Sequence, residues 1–349
     1  MTLSLTSIIK KLLVLFLIFT GLYFAKDLLM PLCIGGILAT LFLPLCKWME
    51  SKKITRNISI FFCLLTFLSI IFILIAVLGL KISELLTDLA FIKQKAIESG
   101  THLQKYIFNH LNISIDEQFE ILKNEQPSYS YILQTIFGSV AYCFTTFILV
   151  MAYFVFLLLY RDHIKTFLLK ITPAAQKSEI KNILYSAAHI SYQYLIGLSK
   201  MIGLLWIMYG IAFSIIGIKN AIFFAILCGM LEIIPYIGNI TGTVLTVIFA
   251  AINGAHPLML AGIVLSYGII QLVQTWFFEP LIMGPQVKIN PLFTIIALVM
   301  GELLWEIPGL VLAIPLTALL KIVCDHIPSL KPYGFLIGTI KPVVHPKII

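Results

Sequence analysis

Long apolar runs separated by short polar stretches occupy this chain from residue 8 to residue 324. A first run covers 8–25 and a second 28–46, where Pro31, Gly35, Gly36 and Pro44 predict a bend; together they read as a helical hairpin. Residues 8–24 read as a retained first span, because Phe24-Ala25-Lys26-Asp27 offers no small-x-small cleavage pattern. From Ile58 to Leu80 there is no charge at all, enough apolar chain for a membrane-crossing helix. Further spans are predicted from about Ile136 to Tyr160, over 201–217 and over 257–278, the last ending in a carboxylate and a turn at Trp276 to Pro285.

Two polar stretches interrupt this series. Ile82, Leu85, Leu86, Leu89 and Ile92 recur at helical spacing among polar residues, which predicts an amphipathic helical insert outside the bilayer core. Arg161 to Lys200 reads as a second polar helical stretch. The expected organisation is therefore N-terminal membrane helices over 1–80, an external insert over 81–135 and a fourth span over 136–160. A cytoplasmic amphipathic linker over 161–200, a C-terminal membrane core over 201–324 and a cytoplasmic tail over 325–349 complete it. Pro328, Pro332, Pro342 and Pro346 predict little regular helix in that tail. The fold class is all-α, a polytopic integral membrane protein.

Composition removes the soluble alternative. Hydrophobic residues make up 60% of the 349 positions and charged residues 11%, less than half the roughly one-quarter of an ordinary soluble domain. A net charge of +8 would suit a nucleic-acid partner if the basic residues shared a face, but they sit at the ends of apolar runs. Lys10 and Lys11, then Lys47, Lys52, Lys53 and Arg56, then the basic residues of 161–200 fall on one side of the spans. The positive-inside rule makes that side cytoplasmic, together with both termini. No nucleic acid is expected as partner; the lipid bilayer is. The six cysteines, Cys33, Cys46, Cys63, Cys143, Cys228 and Cys324, show no CxxC spacing and read as small buried hydrophobes.

The candidate chemistry lies in the most apolar third. Between 201 and 320 the formal charges are Lys219, Glu232, Glu279, Lys288, Glu302 and Glu306. A carboxylate at the centre of a membrane helix costs about 2.5–3.5 kcal/mol on insertion scales, so such residues face cavities, find partners or bind a proton or cation. Helix breakers accompany them. Residues 221–252 are interrupted by Glu232, Pro235, Tyr236, Gly238 and Asn239, and residues 292–323 by Gly301, Glu302, Trp305, Glu306, Pro308 and Gly309. Between these, Glu279, Pro280, Gly284 and Pro285 close the span 257–278. Two long apolar segments broken beside a Glu and a Pro are the pattern left by discontinuous or re-entrant helices of transporters. Whether each crosses once or dips and returns is open at this level. His256, beside Pro257, reads as a loop residue rather than a proton relay. No GxxxxGK[ST], HExxH or GxSxG motif occurs, so no ATP-driven or hydrolytic chemistry, catalytic residue, cofactor or metal is expected.

Three blocks carry a family resemblance. They are Ile234-Pro235-Tyr236-Ile237-Gly238, then Glu279-Pro280 through Gly284 with Val287 and Pro291-Leu292, then Gly309 through Pro315 to Ala318. In order and spacing they resemble the autoinducer-2 exporter (AI-2E) family of bacterial permeases. The resemblance implies an inner-membrane, multi-pass protein with about eight spans, two of them broken, that assembles as a homo-oligomer. It departs from the family pattern at Asn239, where proline is frequent, at Asn290, where histidine is frequent, and at Glu302 and Glu306, where glycines are commoner.

The expected function is that of a membrane transporter, no enzyme, moving a small polar solute or signalling molecule or exchanging sodium and protons. The expected path or coupling residues are Glu232, Pro235, Tyr236, Gly238, Asn239, Glu279, Pro280, Gly284, Glu302, Glu306 and Gly309. A passive oligomeric channel and a non-transporting envelope scaffold are the competing readings.

Overall fold

A computed structural model describes residues 5–87, 129–234, 237–283 and 289–339. Most of the insert expected over 81–135, and Pro235, Tyr236 and Gly284, lie outside the described residues. Apart from one isolated bridge between Ile289 and Gly338, regular structure among the described residues is helical.

Helices α1 (Leu5–Phe24), α2 (Lys26–Ser51), α3 (Arg56–Thr87) and α4 (Tyr129–Leu159) make the N-terminal part. Pro31 and Pro44 are carried inside α2 without ending it. A short helix α5 (Arg161–Ile171) leads to α6 (Lys177–Ile216), whose 40 residues extend about 60 Å at 1.5 Å per residue. That is about twice the thickness of a hydrocarbon core. Ser191, Tyr194, Gly197, Met201, Leu205, Tyr209 and Phe213 recur every third or fourth residue and form the buried stripe of α6. The polar linker and the following span expected from the sequence are, over 177–216, one helix.

The C-terminal part consists of α7 (Ala221–Leu231), α8 (Ile237–Ile252), α9 (Pro257–Val273), α10 (Pro291–His326) and α11 (Lys331–Ile337). Beyond Val273 the chain continues as a π-helical segment, Gln274–Met283. Of the turn expected over Trp276 to Pro285, the part up to Met283 is further helix, with Glu279 and Pro280 carried inside it, while Gly284 and Pro285 lie outside the described residues. The tail also differs from expectation: Pro332, at the start of α11, supports a helix there, since proline suits a first helical turn.

Among the described residues six helices are long and apolar enough to cross a membrane, and α1, α7 and α8 contribute shorter apolar lengths. Large apolar side chains face outward along them, such as Phe72, Ile215 and Leu258. In water so much exposed apolar surface would drive aggregation; against lipid tails it is the proper exterior. Inside, α2, α3 and α4 pack around Phe42, Cys46, Cys63, Phe154 and Leu158. A second cluster joins α6 to α7, α8 and α9 through Leu205, Tyr209, Phe213, Phe224 and Ile263. Cys46, Cys63, Cys228 and Cys324 are buried and Cys33 partly so, whereas Cys143 is exposed on α4.

Both interrupted segments fold back on themselves. In the first, α7 and α8 pack against each other, joined through residues 232–236. The Leu231 carbonyl accepts from the Ile234 N–H at 2.9 Å, and the Ile234 carbonyl from the Gly238 N–H at 3.0 Å. A Cβ on Gly238 would stand 1.7 Å from the Leu231 carbonyl oxygen, so the reversal requires glycine. In the second, α10 breaks at Trp305 (φ −137°, ψ 17°) and Glu306 (φ 55°, ψ −136°). Gly301 and Gly309, eight positions apart, then lie backbone to backbone: a Cβ on Gly309 would meet the Gly301 oxygen at 1.8 Å. In an unbroken helix they would be about 12 Å apart along the axis.

Candidate functional site

The first hairpin holds a buried carboxylate. Glu232 follows the last residue of α7, with only 7% of its surface exposed. Its Oε1 accepts a hydrogen bond from Gln274 Nε2 at 2.7 Å. Gln274, 1% exposed, stands at the junction between α9 and the π-helical segment. Its own carbonyl oxygen faces Asn239 Nδ2 at 3.4 Å, and the same Nδ2 donates to Gln271 Oε1 at 2.8 Å. Asn239 Oδ1 in turn accepts from the Tyr209 hydroxyl of α6 at 2.5 Å.

The direction of this chain matters. Tyr209 donates to Asn239, Asn239 donates to the glutamines, and Gln274 donates to Glu232. Along the Gln274 branch the donors point toward the carboxylate, and the hydrogen bond from Gln274 favours its charged form; Gln271 donates instead to Thr275 Oγ1. Yet its second oxygen, Oε2, is buried with no hydrogen-bond partner among the described residues, as is the Thr243 hydroxyl one turn beyond Asn239 on α8. A buried carboxylate oxygen without a partner carries a desolvation cost of several kcal/mol, which a bound proton or cation removes. Glu279 is half-buried nearby, close enough to interact electrostatically with Glu232 and to reach the Gln274 amide.

Local sequence explains the placement. The π-helical geometry after Gln274 turns side chains at about 4.4 residues per turn rather than 3.6, and such departures gather at functional sites. Trp206 buttresses the hairpin from α6: its indole Nε1 donates to the Ile226 carbonyl at 3.1 Å, and its ring fills the space beside Gly229.

Of the residues expected from the sequence, Glu232, Gly238, Asn239 and Glu279 come together here. Pro280 lies within the π-helical segment, and Pro235, Tyr236 and Gly284 are outside the described residues. Glu302, Glu306 and Gly309 belong to the second hairpin, which packs on α1, α2 and α6. No described side chain of theirs joins the Glu232 network. Glu302 is exposed, and Glu306, 79% exposed along its side chain, lies 3.6 Å from Lys26 Nζ. Trp305 beside it is buried and donates from Nε1 to the Leu22 carbonyl at 3.0 Å, pinning the hairpin tip to the α1–α2 turn. His256 caps α9, its Nδ1 accepting from the Leu258 N–H, the loop role expected of it.

Tyr209, Gln271, Gln274 and Thr243 are the residues the sequence reading missed. Their signal was present: Gln271 and Gln274 are polar positions three apart in an otherwise apolar span, on one face of a helix. Neutral amides draw less notice than carboxylates, although both need partners in lipid.

Comparison with known proteins extends over nearly the whole of this architecture. The model of the family described as "AI-2E family transporter" matches residues 12–329. The chain is 25% identical over 309 residues to "Putative transport protein YrrI" of Bacillus subtilis, an alignment covering 86% of this chain and 87% of that protein. It is 27% identical to "Putative transport protein YueF" of the same organism, over 85% and 84% of the two chains. To "Putative transport protein YhhT" of Escherichia coli it is 22% identical, over 96% and 95%.

Proposed function

The chain belongs to the AI-2E transporter family, and we propose that it works as an ion-coupled secondary transporter in which Glu232 takes the coupling proton or cation. The observation that carries this reading is the geometry of that carboxyl group: Gln274 Nε2 donates to Oε1, while Oε2 is buried and unpartnered among the described residues. A group held so that its charge is favoured on one side and uncompensated on the other gains most from a mobile positive ion.

The driven solute is a small polar or signalling molecule, or the exchange is of sodium for protons. In either case the hairpins supply a feature that transporters use, broken helices folded back on themselves, the first with a buried carboxylate at its turn. Gln274 orients the Glu232 carboxyl, Asn239 and Tyr209 hold Gln274, and Glu279 acts on Glu232 through charge. The protein sits in the bacterial inner membrane with both termini cytoplasmic and functions as a homo-oligomer. The basic stretches at one end of the spans support that orientation.

Flux through reconstituted vesicles tests the proposal. Under imposed proton and sodium gradients, with a panel of small polar solutes, Glu232→Gln should lower gradient-driven flux at least about tenfold, the factor that 1.4 kcal/mol of lost ion binding corresponds to. Identical rates for the two proteins with every ion and solute would refute the role of Glu232.

A further inference from the structure

Helix α5 follows the last residue of the α4 span after a single residue, Tyr160, and has no buried residue among its 11. Ile164, Phe167 and Ile171 are all exposed, at 39%, 55% and 63%. At about 100° per residue they fall, with the partly buried Leu168, within a stripe roughly 100° wide on one face. The charges around that stripe are ordered. Lys165 borders it on one side, His163 and Lys170 on the other, and all three are exposed. The acid of this helix, Asp162, is turned to the opposite face and is engaged by Arg56. An apolar stripe edged on both sides by basic residues is the arrangement of a helix lying flat in a membrane interface, where lysine stems run along the apolar layer and their ammonium groups rise to the headgroups.

We propose that α5 lies in the plane of the bilayer surface and binds anionic phospholipid headgroups through Lys165 and Lys170, with Ile164, Phe167 and Ile171 seated among the acyl chains. Its position at the exit of a span puts it at the depth where headgroups are found. Charge complementarity selects anionic lipid, because the side chains flanking the stripe are basic while the acid is taken up by Arg56. The consequence is mechanical. This helix joins the α2–α3–α4 bundle to the long helix α6, so lipid would hold the connection between the two packed clusters at a fixed depth.

The test uses the full chain with its own cysteines replaced, reconstituted into vesicles that contain a lipid-borne nitroxide quencher. A fluorophore is attached at Phe167→Cys in one sample and at Thr166→Cys, on the polar face, in another. In vesicles containing phosphatidylglycerol, the label at 167 should be quenched strongly and the label at 166 weakly. Replacing phosphatidylglycerol by phosphatidylcholine, or introducing Lys165→Gln with Lys170→Gln, should reduce quenching at 167 severalfold, since two basic residues near anionic headgroups together shift partitioning by more than about tenfold. Lys165→Arg with Lys170→Arg should retain it. Equal quenching at 166 and 167 overturns the in-plane placement. Quenching at 167 that is the same in phosphatidylcholine, or unchanged by the glutamine pair, overturns the headgroup assignment. The lipid comparison uses unaltered lysines and so does not depend on how the variants fold.

Discussion

Glu306 occupies a backbone conformation, φ 55° and ψ −136°, that is essentially reserved for glycine. Holding another residue there costs about 1–3 kcal/mol. What keeps it in place is the pinning around it: Trp305 bonded to the Leu22 carbonyl, Gly301 against Gly309, and Lys26 facing the carboxylate. Replacement by glycine and by alanine separates backbone from side chain. Both variants lose the exposed ion pair, worth at most about 1 kcal/mol, but only glycine relaxes the backbone. Thermal unfolding in detergent should place Glu306→Gly above Glu306→Ala by about 1 kcal/mol or more; alanine equal to or above glycine would show that the turn is unstrained. The departure from the family pattern was legible in the sequence as a glutamate where glycine is commoner, but its physical content was not. A residue list does not show which bond in a broken helix takes up the reversal.

At the level of elements, the ends of α2, α3, α4 and α5 are joined by a polar clasp. Arg161 bonds Glu50, Arg56 bonds Asp162, and Arg56 Nη1 also donates to the Leu159 carbonyl at 3.2 Å, satisfying an otherwise open acceptor at the end of α4. The hydrogen bond from Arg56 holds the Asp162 carboxyl below the usual aspartate range, against the opposing effect of partial burial. A depressed folded-state pKa means that the stabilisation is fully present above the unfolded value, about 3.9, and is lost as pH falls through the lower folded value. Asp162 is largely exposed, so the pair contributes less than about 1 kcal/mol. Melting curves of Asp162→Asn should therefore lie slightly below those of the parent at pH 7 and converge with them as pH falls below the depressed folded-state value. A constant offset across that range would assign the effect to packing instead. The clasp was out of reach of sequence reasoning because Arg56 and Asp162 are far apart in the chain. The apolar helices were within reach because their signal is local. Between these extremes is the π-helical segment: its residues were read as a span and a turn, since periodicity distinguishes 3.6 from 4.4 residues per turn poorly over ten residues.

For the molecule as a whole, α6 serves as a ruler. The first hairpin hangs from its C-terminal end, where Gly217 ends the helix in a left-handed turn and α7 runs back along it until Gly229 lies beside Trp206 and the Ile202 carbonyl. Fourteen residues separate Ile202 from Ile216, so the hairpin reaches about 21 Å along α6, two-thirds of a roughly 30 Å hydrocarbon core. The base of the second hairpin packs instead near Ile190 in the N-terminal half of α6, through Ile289, Phe293 and Ala318, and its tip reaches Leu22 and Lys26 at the far end. The two hairpins therefore enter from opposite ends. Opposed half-helices are what inverted structural repeats produce in secondary transporters. This arrangement favours return over a single crossing for residues 221–252, a choice that neither hydropathy nor charge could make. If the hairpin returns, Asn253 emerges on the side where α6 ended, which the proposed orientation makes external; if the segment crossed, the same orientation would make Asn253 cytoplasmic. In a cysteine-replaced chain, Asn253→Cys should react with an impermeant maleimide added outside spheroplasts, whereas Lys177→Cys at the start of α6 and Ser329→Cys beyond α10 should react only after permeabilisation. Asn253→Cys protected from outside and labelled only from within would mean that the first hairpin is a crossing, and Glu232 would lose its place at the tip of a re-entrant pair.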